Sequence, residues 1–176
     1  RSTFILVLTD GEPTQDQTIP SALQDYAHGQ HGLHCTNGST TIHTPDGTCN
    51  TNTATPPGTL LGEHRTDYGS SGTHYLDDVA YWGHINDLRQ STIPVTGEAG
   101  HDLPGFQNAT IYTFFAFGRV SGREVLMHAA KLGGFEDQNS NNIPDLTEEW
   151  DKVDNNTGAD GADGIPDTYF ESSNGA

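Results

Sequence analysis

Basic residues are scarce in this sequence: seven Lys and Arg stand against 24 Asp and Glu, giving a formal net charge of −17. Such a chain repels nucleic-acid phosphates and anionic membrane surfaces, so neither is an expected partner. Hydrophobic residues make up only 32% of the 176 positions, and no apolar stretch approaches the roughly 20 residues that a membrane-spanning helix needs. We therefore expect a protein that does not span a membrane, whose many acids either stay solvated or bind cations.

Cysteine is almost absent, and the two that occur, Cys35 and Cys49, lie in a loop-like region. A disulfide between them would stabilise the fold by ~3 kcal/mol in the entropic model and would indicate an oxidising, extracellular location. Two free thiols in a reduced compartment are the alternative. Abundant Thr, Gly, Asn and Asp with so little Lys is typical of exported proteins, which favours the disulfide.

An uninterrupted apolar run, Phe4 to Leu8, lies near the start of the sequence and stops before Asp10 and Gly11. A run without alternation predicts a strand buried on both faces in the middle of a parallel sheet. Asp10 would then lie at the carboxyl edge of the sheet, where ligands bind, or would simply cap the following turn. No starting methionine or signal peptide precedes this run, which suggests a processed or truncated piece of a longer protein.

A long segment without hydrophobic periodicity, residues 15–73, follows the first strand and is predicted to be an insertion held by the disulfide. Asn37-Gly38 is a predicted hairpin tip. The segment is rich in histidines, whose spacing suits zinc or copper. Because histidines three apart in a loop do not share a face, we favour a solvated loop over a metal site. The histidines are His28, His31, His34, His43 and His64.

Regular structure returns after the insertion. Apolar spacing predicts an amphipathic helix over 75–89, and a β-prone run predicts a strand over 107–117. A second helix opens near Ser121 and is predicted to end with Gly133-Gly134 as its C-cap. The order strand, insertion, helix, strand, helix is typical of a parallel α/β sheet.

The most specific chemical pattern is a twelve-residue calcium-loop template over 137–148. The sixth position of the template, usually glycine, is Asn142, which tolerates the left-handed backbone required there. An acidic turn is the alternative, but the register of the oxygen donors favours Ca²⁺. The predicted ligands are Asp137, Asn139, Asn141, the carbonyl of Ile143, Asp145 and Glu148.

A second stretch repeats the Ile-Pro-Asp ending of the first loop. Its fifth to ninth positions fit the template, but the first position falls on Ala159, with Asp160 one place away. A second calcium ion is therefore a weaker prediction than the first. Its predicted ligands are Asp160, Asp163, Ile165 and Asp167.

Several motifs in succession resemble the von Willebrand factor A-type region of the PilC/PilY family of type IV pilus tip adhesins. They are L-T-D-G-E-P, L-D-D-V-A-Y-W, Q-N-A-T-I-Y-T-F-F-A-F-G, A-A-K-L-G-G-F-E-D and two I-P-D loops. This resemblance implies a Rossmann-like α/β fold, a bacterial cell-surface or pilus location, calcium loops and a metal-ion-dependent adhesion site. Asp10 alone matches that site, because an Asp-x-Ser-x-Ser segment is missing, so Mg²⁺ or Ca²⁺ would bind there only with residues from elsewhere.

We therefore expect a partial von Willebrand A-type domain over 1–134 and an acidic calcium-binding region over 135–176. The expected function is adhesion without catalysis. The expected partners are pilus or filament subunits, or the missing N-terminal half of the same protein. A calcium-rigidified structural or assembly subunit of an extracellular filament is the alternative. No catalytic motif is present, and His84 and His128 are expected to be ordinary surface or boundary residues of helices.

Overall fold

Three parallel strands and two longer helices form a small α/β fold that is compatible with a Rossmann-like arrangement. The computed structural model describes residues 3–9, 17–24, 26–27, 34–37, 40–43, 72–89, 104–116 and 120–172. The elements are β1 (Thr3–Thr9), β2 (His34–Asn37), β3 (Thr40–His43), α1 (Tyr75–Ile85), β4 (Ala109–Phe115), α2 (Val120–Gly134), α3 (Thr147–Trp150) and β5 (Tyr169–Glu171). None of the helices described is long and apolar enough to cross a membrane.

Strand β4 is the centre of the main sheet, between β1 and β5. Its side chains alternate between buried and half-buried positions. The buried set faces α1 and α2, where Ile111 and Phe115 join the hydrophobic core. The Thr113 hydroxyl on this side donates to the Leu126 carbonyl of α2 at 2.9 Å, so the one polar side chain is satisfied within the core.

Strand β1 differs from the prediction, because in the part of the chain that the structure describes it pairs only with β4. Phe4, Leu6 and Leu8 are 65%, 67% and 64% exposed. An apolar run without alternation indicates that both faces of a strand are suited to burial. It does not indicate which other element covers either face. The side of the sheet away from α1 and α2 is called the open face below. It carries Phe4, Leu6, Leu8, Tyr112, Phe114 and Phe170.

Helices α1 and α2 meet through buried polar side chains as well as apolar ones. Asp77 and Asp78 are fully buried, and the Asp78 carboxylate accepts the amide of Ala27 at 2.8 Å. His128 Nδ1 lies 3.6 Å from the Asp77 carboxylate, and His128 is 1% exposed. The expectation that His128 is a surface or boundary residue was therefore wrong. Burying these two polar side chains side by side lets each partner the other, which lowers the cost of removing them from solvent.

The two glycines at the end of α2 serve close packing. They lie within the helix rather than beyond it, and neither has the positive φ of a C-cap, so that prediction was wrong. A Cβ added to Gly133 would lie 2.6 Å from Ile111 Cγ1 and 2.9 Å from the Ala80 Cβ. One added to Gly134 would meet Thr168, with its Cγ2 2.7 Å away. The bare backbone lets α2 approach β4 and the start of β5.

Strand β5 comes from the acidic C-terminal region, which therefore contributes to the sheet. Arg123 of α2 pairs with Glu171 of β5 by donating from Nε and Nη2 to the two carboxylate oxygens, the Nη2 contact being 3.0 Å. The Tyr169 hydroxyl donates to the same carboxylate at 2.7 Å. The Arg123 partner holds the pKa of Glu171 below its usual range. The Arg123 to Glu171 ion pair thus anchors the third strand to a helix.

The insertion contains one described hairpin. Strands β2 and β3 pair antiparallel with Asn37 opposite Thr40, which confirms a hairpin at the predicted position. His34 pairs with His43 across it. Cys49 and the other histidines of the insertion lie outside the described residues, so the disulfide stays a prediction.

Replacing Gly133 by alanine should destabilise the fold by about 1–3 kcal/mol, because the new methyl group overpacks the contact with Ile111 and Ala80. Gly83 in α1 is a matched control: its nearest neighbour would be the Ala109 Cβ at 3.9 Å, and Gly83→Ala should stabilise the helix by about 0.5–1 kcal/mol. Urea denaturation of both variants measures the difference. Equal effects of the two substitutions would show that α2 does not need its close approach.

Candidate calcium loops

The chain between α2 and β5, residues 135–168, is called the acidic segment below. It lies at the edge of the sheet where the strands begin. It follows the end of α2 and returns at Thr168, just before β5. Phe4 and Thr110, near the starts of β1 and β4, line a pocket together with Glu136 and Lys152 of this segment. Both predicted loops therefore lie at the amino edge, whereas the end of β1 that leads to Asp10 is at the carboxyl edge. Asp10 itself is outside the described residues.

Asp137 organises the first loop by accepting backbone amides. One carboxylate oxygen accepts the Asn141 amide at 3.2 Å, and the other accepts the Asn142 amide at 2.9 Å. Asn142 has φ of 60°, which confirms the predicted left-handed backbone at the sixth position. A short polar side chain is the non-glycine type that best adopts this conformation. The first and sixth positions of the template are thus joined directly.

The other side-chain donors of the first loop come together at Asp145. Its two carboxylate oxygens accept the side-chain amides of Asn139 at 2.8 Å and Asn141 at 2.9 Å. The Asn141 side-chain oxygen accepts the Ile143 amide at 2.7 Å. The structure therefore brings together the predicted residues at positions three, five and nine. All three side chains are exposed, which leaves the loop accessible to ions.

The first loop is fixed to the core at its middle. The Tyr81 hydroxyl of α1 donates to the Asn142 carbonyl at 2.7 Å. Burial raises the pKa of Tyr81, and electrostatic interactions with Tyr26 and Asp137 add to the increase, so the hydroxyl keeps its proton. Ile143 packs against the cluster that contains Tyr81, as its position in the template predicts. Its carbonyl accepts the Asp145 amide at 2.9 Å.

The twelfth position shows a difference from the prediction. Glu148 is exposed, and its contact with the loop is through its main-chain carbonyl, which accepts from Gln138 Nε2 at 2.9 Å. The next residue, Glu149, is 2% exposed and turns back onto the loop. Its carboxylate accepts the amides of Gln138 at 2.9 Å and Leu146 at 3.2 Å. The sequence could have indicated this role, because Glu149 is at position N3 of the short helix α3, where a glutamate side chain turns back to the N-cap amide.

The second loop repeats three hydrogen bonds of the first, but its first residue comes from further away. Asp151 accepts the amides of Asp163 at 3.0 Å and Gly164 at 2.7 Å, as Asp137 does in the first loop. Gly164 has φ of 85°, in the place of Asn142. Asp163 Oδ1 accepts the Ile165 amide at 2.9 Å, repeating the bond made by Asn141.

Asp151 therefore takes the place that the sequence suggested for Asp160. Asp160 is exposed and pairs with Val153 in an isolated antiparallel bridge. Residues 152–162 form an excursion between the first and fifth positions. Asp167 accepts the amides of Lys152 and Val153 at the start of this excursion. A linear template cannot find Asp151, because the spacing that it assumes is absent.

Negative charge is concentrated around Asp151, which is 2% exposed. Burial raises the pKa of its carboxyl group, and the charges of Asp163 and Asp167 raise it further, while the amides of Asp163 and Gly164 oppose the increase. A bound cation would relieve this repulsion.

A purely acidic or histidine metal centre is not found among the described residues, where no three His, Cys, Asp or Glu side chains are placed to hold a metal ion. In the first loop, Asp137 Oδ1 and Asn139 Oδ1 both accept the Asn141 amide, and Asp145 accepts the side-chain amides of Asn139 and Asn141. The capacity of this loop for calcium therefore depends on neutral oxygen donors, which calcium accepts readily.

Comparison of the chain with protein-family models, curated proteins and solved structures found no match. The resemblance to pilus tip adhesins therefore depends on the sequence motifs alone.

His84 links α1 to the chain just before the first loop and should make stability depend on pH. Its ring nitrogens lie 3.1 Å from the Ala109 carbonyl oxygen and 2.8 Å from that of Phe135. Burial lowers the pKa of His84, against the opposing effects of these carbonyls and of Asp137. The unfolded chain then binds the proton more readily, so this contribution to stability is lost as the pH falls below about 6.5.

Urea denaturation at a series of pH values measures this effect. The unfolding free energy of the wild type should fall more steeply between neutral and mildly acidic pH than that of His84→Gln. Parallel pH profiles for the two proteins would contradict the expectation.

Proposed function

We propose that this chain is a calcium-binding module in which 137–148 is the main site and 151–167 is a second one. The observation that carries the proposal is a repeated arrangement: an aspartate carboxylate accepts two successive amides, the second from a residue with left-handed backbone. Asp137 with Asn142 and Asp151 with Gly164 share it. Two segments with different sequences therefore share the same pair of hydrogen bonds from successive amides to one carboxylate.

The donor chemistry suits a hard cation. Calcium takes six to eight oxygen ligands from carboxylates, amide side chains and main-chain carbonyls. In the first loop these are Asp137, Asn139, Asn141, Asp145 and the Ile143 carbonyl, with Glu148 or Glu149 as the closing acid. In the second loop the candidates are Asp151, Asp163, Asp167 and the Ile165 carbonyl, and the three carboxylates would have to move closer together around the ion, because the structure does not place them to hold a metal. With calcium bound, the charge of these carboxylates would be offset, and the loops would hold a single shape.

The biological setting that we propose is a bacterial cell-surface adhesin of the type IV pilus. The motif succession that ends in the two Ile-Pro-Asp loops supports it, and the net charge of −17 agrees with an exported, cation-dependent protein. The module would act by binding rather than by catalysis. An adhesion-site ion at Asp10 would need further ligands from elsewhere.

A second candidate function is that of a calcium-rigidified assembly subunit in an extracellular filament. The exposed side chains of β1 favour it, because an apolar edge strand without lysine, proline or a bulge is suited to contact with another chain.

Calcium at the first loop should raise the melting temperature of the chain relative to the same protein with chelator at equal ionic strength. The free energy gained is about 2.7 kcal/mol at a calcium concentration one hundred times the Kd. Asp137→Ala should remove most of this gain, and Mg²⁺ in place of Ca²⁺ should give less of it. Identical melting curves with and without calcium would refute the proposal.

The register of the second loop can be tested with two isosteric variants. Calorimetric titration should find two calcium ions per wild-type chain, and one for Asp151→Asn, because that substitution removes the charge at the first position. Asp160→Asn is the matched control and should still bind two. Loss of one ion in Asp160→Asn but not in Asp151→Asn would place Asp160, not Asp151, in the site.

A further inference from the structure

The open face is an aromatic and aliphatic surface that extends over all three strands. Leu6 lies opposite Tyr112 in the pairing register, and Leu8 and Phe170 lie on either side of Phe114. Phe4 and Tyr112 have ring centroids 6.0 Å apart, and the Tyr112 and Phe170 rings stack at 6.5 Å. The side chains therefore form one continuous layer.

This layer is exposed at both of its margins. Phe4, Leu6 and Leu8 on β1 are about two-thirds exposed, and Phe170 on β5 is 46% exposed. Parallel sheets are found almost only with both faces covered, whereas in the described part of the chain both longer helices pack on the opposite face. A contiguous apolar patch of this kind marks an interaction site.

The shape of the patch suits a helix better than an added strand. A strand paired with β1 would leave Phe170 uncovered, because β4 separates β1 from β5. Neighbouring strands are about 4.8 Å apart, so the three strands span about 10 Å, which is the diameter of a helix. A seven-residue strand is about 23 Å long, equivalent to about fifteen helical residues.

The acidic residues beside the open face indicate which charged side chains a bound partner would have. A pocket of about 280 Å³ lies at the amino end of the open face, where Phe4 and Tyr112 meet Glu136, Trp150 and Asp167. Lys152 is the only basic residue between Glu136 and Glu171, and it already pairs with Glu136. An apolar side chain in the pocket would therefore be flanked by acids. A second copy of this chain would bring another charge of −17 to the same surface, so self-association is disfavoured.

We propose that the open face binds an amphipathic helix of a partner protein, with Leu-type residues on one side and Lys or Arg on its flanks. The apolar stripe covers Leu6, Leu8 and Phe170, and the basic flanks lie beside the acidic segment. The apolar part of this surface is formed by the strands, whereas its acidic flank includes Asp167, so the binding experiments below are done with chelator present. Its failure and the failure of the calcium proposal are thus separate results.

A synthetic helical peptide tests this proposal with the intact chain. The probe has leucine at helical spacing and lysine elsewhere, and its partner peptide has glutamate in place of lysine. The basic peptide should bind at least about tenfold more tightly, a difference of about 1.4 kcal/mol, and its affinity should fall as salt is added. Equal binding of the two peptides would overturn the charge argument.

Variants locate the binding surface. Leu6→Asp and the milder Leu6→Ser should each weaken binding of the basic peptide, with circular dichroism confirming that the variants are folded. Phe106→Ser is the control, because Phe106 is 59% exposed but lies outside the sheet. An unchanged affinity in folded Leu6 variants would overturn the proposal. So would a wild-type dimer in sedimentation that Leu6→Asp dissociates, since the open face would then be covered by a second copy.

Discussion

The shortage of basic side chains is the constraint on which the structure of the acidic region depends. Carboxylates that would pair with lysine or arginine in another protein here accept backbone amides. Asp137, Asp151, Asp154, Asp163, Asp167 and Glu149 all do so. A carboxylate that accepts two amides fixes the backbone that donates them. The acids therefore determine the path of the chain, and the same property makes the loops suitable for cations.

The two loops share a local design but differ in how they are connected. In the first, Asp137 reaches the amides four and five residues later. In the second, the same bonds span an excursion of eleven residues, 152–162, and bring Asp151 to Asp163 and Gly164. The two Ile-Pro-Asp stretches that repeat in the sequence are thus only half of the structural repeat. The other half is visible only when the chain has folded.

The elements that the sequence predicted correctly are those whose conformation and burial depend on the spacing of residues within the element itself. The alternating burial of β4 and the apolar face of α2 depend on residues close in the chain, and Asn142 was identified because its conformation is a local requirement. The position of β1 could not be predicted in this way, because the residues of a strand do not specify which other strands pair with it. The same holds for Gly133, whose packing partner Ile111 lies 22 positions earlier in the chain, and for Asp151.

The contact between Gly134 and Thr168 has a consequence for the architecture as a whole. The Thr168 hydroxyl donates to the Ala130 carbonyl at 2.9 Å, so the acidic segment leaves the α/β layer and returns to it at the same point. Most connections between a helix and the next strand need only a few residues, and a segment whose ends touch adds little strain to the scaffold that carries it. The segment is thus held to the scaffold at both ends and also at its middle, where Tyr81 binds the first loop and Trp150 packs on the core, so it is part of the folded unit rather than an appended tail.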